Sequence, residues 1–168
     1  TEKLTFYQNG AASGNISTKR VFRDVGEWMH LVFHYDSDNA TVNDRSKIFL
    51  NGVDLASEIT YTTGVTLNLN SKINAAGLVH NFGDTADNLG WDANHQLAKV
   101  YFVDGALEDP TSFGRFNNEN RWVPATYSGS TLTGNSFFLD FQDNSSFGDD
   151  SSGLTNDFTQ GGTWATDH

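Results

Sequence analysis

Apolar and polar positions alternate in short runs along this chain, and turn-forming residues separate the runs. Leu4, Phe6 and Gln8 alternate with Thr5 and Tyr7, and a second run covers 16–22. The densest run is 28–35. As a strand it turns Met29, Leu31, Phe33 and Tyr35 to one face and Trp28, His30, Val32 and His34 to the other. A strand apolar on both faces is expected in the middle of a sheet, covered on both sides. The run 45–50 follows, with Ile48 and Leu50 on one face and Lys47 and Phe49 on the other. Asn51-Gly52 then predicts a tight hairpin, because both residues tolerate positive φ, and 53–55 is the return. Further strands are predicted at 65–69, 76–82 and 95–104. The stretch 109–114 reads as one helical turn, capped by Asp109 with Pro110 in its first position. Residues 117–135 read as irregular. In the run 135–142, Phe137, Leu139 and Phe141 share one face and Phe138 and Asp140 the other. A loop at 143–153 and a last short strand at 156–160 complete the pattern. The predicted core is Trp28, Leu31, Phe33, Ile48, Leu50, Val100 and Phe102.

Composition narrows this picture. The 168 residues include 16 Gly, two Pro and 13% aromatic residues, the profile of an all-β chain. Ten basic and 21 acidic side chains give a net charge of −11. That balance disfavours a nucleic-acid backbone or an anionic membrane as partner and suits neutral polar ligands, cations or basic surfaces. There is no Cys, so disulfides and thiolate metal sites are excluded. Apolar stretches run only a few residues, so neither a signal peptide nor a membrane-spanning helix is expected. The start at Thr1, without an initiator Met, is read as that of a processed or excised piece.

Several strings carry a resemblance. WMHLVFHYDS, RSKIFLNGVDL and QLAKVYFVDGALEDPTSFG resemble the laminin G-like jelly rolls of the concanavalin A-like lectin/glucanase superfamily, through Trp28, His30, Asp36, Phe49, Asn51, Gly52 and the stretch 97–107. Phe49 stands where that family usually has Tyr, and Ala98 where it often has Asp. VFRDVGEWMH, DRSKIFLNG, AKVYFVDGALEDPTSFG, WVPATYSG and FFLDFQDNSSFGDDSSGLTNDFT are similar to a variant found in virion proteins of tailed bacteriophages. This resemblance covers residues 4–159. It implies an all-β jelly-roll sandwich of two antiparallel sheets, a single unit over 1–168. Residues 129–168 resemble the opening of such a domain placed last. They either close the chain's own sheet or begin a following repeat.

The resemblance implies a non-catalytic virion-associated module of tail or capsid, located on the particle surface. Its partners would be virion subunits or host-surface glycans, with a homo-oligomer left open. The alternatives are a polysaccharide-degrading enzyme of the same superfamily with an unfamiliar site, and a purely structural subunit-contact domain. Glucanases of the superfamily carry Glu-x-Asp-x-x-Glu on one strand; none of the five Glu here has Asp two residues later. His30 and His34 lie about 13 Å apart along a strand, too far to share one zinc. Calcium is the expected ion, held by hard oxygen ligands in two acidic loops, at Asp84 and Asp87 and at Asp149 and Asp150. The competing reading of those loops is that Asp, Asn, Ser and Gly simply make turns. For a glycan, the candidate surface is the polar loop around Trp91, Asp92, Asn94 and His95, where an indole could stack on a sugar ring.

Overall fold

A computed structural model describes residues 3–6, 14–24, 26–61, 63–75, 77–78, 80–82 and 96–159. Among them the secondary structure is short antiparallel strands and three 3-10 turns, an all-β architecture. The chain divides into two compact units: residues 1–75 with 107–129, and residues 76–106 with 130–168.

In the first unit, β1 (Thr5–Phe6), β2 (Ile16–Thr18) and β6 (Ile59–Tyr61) form one sheet in the order β1-β2-β6. A second sheet has the order β3-β4-β5, from Leu31–Tyr35, Ser46–Leu50 and Val53–Asp54. The Asn51-Gly52 turn forms as predicted, with φ of 49° and 80°, the left-handed pair that matches the twist of a two-residue hairpin. A core of Ile16, Ile48, Leu55 and Ile59 joins residues from both sheets, with Phe6, Leu50 and Tyr61 packed against it. Ile48 lies directly opposite Phe33 in the ladder. Ile48 is fully buried on central β4, whereas Phe33 on β3 keeps 41% of its surface exposed and stacks on Phe6 at 5.5 Å. The difference follows from position: among the described residues β3 pairs with β4 alone and is an edge strand, not the central strand expected.

The predicted burial of Trp28 is also overturned, since it is 64% exposed. Strand geometry begins only at Leu31, so the alternation read back to Trp28 has no pleat to enforce it. The opposite face of the β3-β4-β5 sheet is nevertheless covered. His34 packs on Phe49, and its Nε2 lies 2.7 Å from the Glu108 carbonyl. The segment 107–129 that covers this face carries a 3-10 turn, Pro110–Ser112, capped by Asp109 as predicted: its carboxylate accepts from the Thr111 N–H at 2.9 Å. It then forms a hairpin of β8 (Gly114–Phe116) and β9 (Trp122–Pro124) where an irregular stretch was expected. Asn117 closes that hairpin by accepting from the backbone of Glu119 and Arg121.

In the second unit, β7 (Val100–Phe102) pairs antiparallel with β10 (Phe137–Leu139), in the register Phe102↔Phe137, Tyr101↔Phe138 and Val100↔Leu139. Tyr101 stacks on Phe138 at 4.1 Å, and Phe102 on Phe137 at 5.5 Å on the opposite face. Phe82, Phe137 and Phe158 form an aromatic cluster with ring centroids 4.9–6.1 Å apart. Phe141 does not continue the alternation of Phe137 and Leu139, because its φ of 55° ends the strand. Two other predicted strands shrink for the same reason. At 65–69 only Val65 bridges, with Asn68 in the left-handed region at φ 58°. The strand in 95–104 is limited to Val100–Phe102, ahead of Gly105 at φ 80°. No strand forms at 156–159, the described part of the last prediction.

Candidate functional site

Of the predicted site residues, Asp84, Asp87, Trp91, Asp92, Asn94 and His95 lie outside the described residues. Asp149 and Asp150 lie on the loop after β10. Asp150 organises that loop. One carboxylate oxygen accepts from the N–H groups of Phe138 (2.9 Å) and Ser152 (2.9 Å); the other accepts from the Ser152 hydroxyl (2.8 Å) and the Asn156 N–H (3.1 Å). A carboxylate has about four lone-pair sites, so Asp150 has little capacity left for a cation. Partial burial pushes its acidity the other way, yet these hydrogen bonds hold the carboxyl below the usual range. Ser151 donates back to the Phe138 carbonyl at 2.8 Å, and Asn156 Nδ2 donates to the carbonyls of Gly134 and Ser136. The segment 148–158 is thereby clasped to β10.

Asp149 accepts from the Ser146 hydroxyl and borders a shallow polar groove with Asp140, Asp143, Asn144 and Ser151. Asp140 and Asp143 each accept from the N–H two residues on, the turn use of Asp. Hydrogen bonds from the Ser145 hydroxyl and backbone hold Asp143 below the usual carboxylate range. Among the described residues, no three His, Asp or Glu side chains gather as a metal centre.

The most developed side-chain arrangement lies in the first unit, around Trp122. Its indole occupies a slot that only glycines leave open. A Cβ on Gly52 would stand 2.2 Å from Trp122 Cζ3, and one on Gly114 would stand 2.7 Å from Nε1, Cε2 and Cζ2. The His30 imidazole stacks on the indole at 5.6 Å and 21°, and Phe116 meets it edge-on at 5.1 Å. Phe113 contacts His30 at 5.9 Å. Asn51 fixes His30 through its backbone, accepting from the His30 N–H at 2.9 Å and donating its own N–H to the His30 carbonyl at 2.8 Å. His30 Nδ1 and Trp122 Nε1 are both enclosed, with no hydrogen-bond partner among the described residues. Burial lowers the His30 pKa from the ordinary imidazole value. His30, Asn51, Gly52, Gly114 and Trp122 come from four separate motif strings, and the fold brings them together in one cluster. Sequence reading singled out each string but not their meeting.

A second arrangement centres on Glu108, a carboxylate buried to 8% exposure. Ser112 Oγ donates to its Oε2 at 2.8 Å, and the Tyr127 hydroxyl shares the space above Gly129 with it. Ser, His and Glu side chains thus occur close together, but not as a relay for nucleophilic attack. His34 meets the Glu108 backbone carbonyl, whereas a triad requires the imidazole on the serine hydroxyl.

Compared with known proteins, the chain matches no family model, no curated protein and no solved structure.

Proposed function

We propose that this chain is a non-catalytic adhesion or structural module of a virion tail or capsid protein, a laminin G-like jelly-roll sandwich with host-surface glycans as its ligand class. The observation that supports this reading is the use made of the motif residues. His30, Asn51, Gly52, Gly114 and Trp122 pack one hairpin onto a sheet, and Asp140, Asp143 and Asp150 shape loops. Such residues fix a scaffold rather than present a nucleophile or a general acid. A flat exposed aromatic ring is the natural platform for the apolar face of a sugar. Trp28 offers one at 64% exposure, and Trp91 stays the second proposed platform. Calcium remains the proposed ion for the acidic loops at Asp84, Asp87 and Asp149.

A glycan array probed with the wild type, Trp28→Ala and Trp91→Ala tests the adhesion role. Loss of a specific signal in one variant, with the melting curve unchanged, is the expected result. Silence across the array leaves the subunit-contact reading in its place. Release of reducing ends from a polysaccharide panel would replace both with the enzyme alternative.

A further inference from the structure

We propose that His30 is a proton-sensitive lock for the β8–β9 hairpin: the neutral imidazole holds the Trp122 indole in its glycine slot, and protonation releases it. In neutral imidazole one nitrogen donates and the other accepts, whereas in imidazolium both donate. His30 Nδ1 is enclosed and has no partner among the described residues. In the Nε2–H tautomer Nδ1 carries no proton, and protonation there creates an enclosed donor with no acceptor among the described residues, on a half-buried ring.

Among the described residues, Phe113 from the end of the 3-10 turn and Trp122 from β9 pack against the ring, and Asn51 from the hairpin turn holds the His30 backbone. None is charged, and burial is the influence that acts on the protonation of His30. On its own stretch the flanking side chains are Met29 and Leu31, with Glu27 three residues upstream. Stacking on Trp122, with the rings 21° from parallel, returns part of the cost through the cation–π attraction. It cannot supply the missing acceptor at Nδ1.

Release has a defined geometry. The hairpin is joined to itself by the Arg115↔Val123 and Phe116↔Trp122 pairs, and it meets the β4–β5 turn through Trp122 against Gly52. The β1-β2-β6 sheet, on the core side, contains no part of this cluster. The lock therefore acts on the hairpin and leaves the core in place.

The docked His30 pKa lies below the ordinary value of about 6.5. Acidification from that value toward the docked pKa favours the released state, by about tenfold in the released-to-docked ratio per pH unit for one proton. The test uses the full chain. The His30 ring is titrated by NMR, while amide hydrogen exchange is followed at Arg115, Phe116 and Val123, with Ile16–Thr18 as the core reference. The expected result is a His30 pKa below 6.5, and hairpin protection that falls about tenfold per pH unit across that window while the reference amides keep theirs. His30→Gln should remove the pH dependence. The proposal is overturned if His30 titrates at or above the ordinary value, if the hairpin stays protected once His30 is protonated, or if the reference amides lose protection in parallel. An identical pH dependence in His30→Gln overturns it as well.

Discussion

The Asp150 carboxylate accepts three backbone N–H groups and one hydroxyl, so removing it leaves donors of β10 and its following loop without a partner. Asp150→Ala should lower stability by about 2–3 kcal/mol in denaturant melts, the scale of charge-assisted bonds to partly buried donors. Its pKa is depressed in the folded protein. Its stabilisation is therefore present above the unfolded value of about 3.9 and is lost as pH falls through the lower folded value. His30 shifts in the same direction, although it is a base. Its folded pKa is lowered, so the unfolded chain takes up the proton first and stability declines as pH drops below about 6.5. Acid melts should thus show a shallow loss starting near pH 6.5 and a second one below about pH 4. A stability plateau extending from pH 7 down to 4 would contradict the first part. In the core, Ile48→Ala should cost about 2–5 kcal/mol, because Ile48 is fully buried on a central strand. Trp28→Ala, at 64% exposure, should cost far less in the same melts.

At the scale of elements, local chemistry and tertiary contact can be separated. Asn51-Gly52 formed the predicted hairpin because positive φ is a local property. What Gly52 also does, admitting the Trp122 ring, could not be read from its neighbours in sequence. Gly52→Ala meets both demands at once: a left-handed φ and a Cβ inside the indole. It should destabilise by about 2 kcal/mol or more, whereas the backbone preference alone accounts for roughly 1. A cost of only the smaller size in thermal melts would mean that Trp122 moves aside freely. The strand β10 pairs with β7 at 100–102. Its apolar face joins a sheet, but apolarity alone does not choose the partner. Deleting 129–168 strips β7 of its partner among the described residues and removes Phe137 and Phe158 from the aromatic cluster. The truncated protein should aggregate or lose cooperative unfolding in calorimetry, since an uncovered strand edge invites association.

Across the molecule, the excess of acidic residues has a structural use. Asp24, Asp36, Asp54, Asp109, Asp140, Asp143 and Asp150 each accept from an N–H two residues on, so much of the net charge of −11 sits in turns. If calcium binds the proposed loops, millimolar calcium should raise the melting temperature and a chelator should reverse the rise; an unchanged melt in both removes that ion. The sequence by itself determined the all-β class, the Asn51-Gly52 hairpin, the Asp109 cap and the faces of Phe137, Phe138 and Leu139. Each of these depends on residues adjacent in the chain, through period-2 alternation and tolerance of particular φ values. Only the tertiary structure decided that Trp28 is exposed, that β3 lies at an edge, that β10 pairs with β7, and that His30 and Trp122 share a slot between glycines. These depend on which surfaces far apart in sequence meet. The sequence pattern says that a face is apolar, and its burial is fixed only when another element covers it.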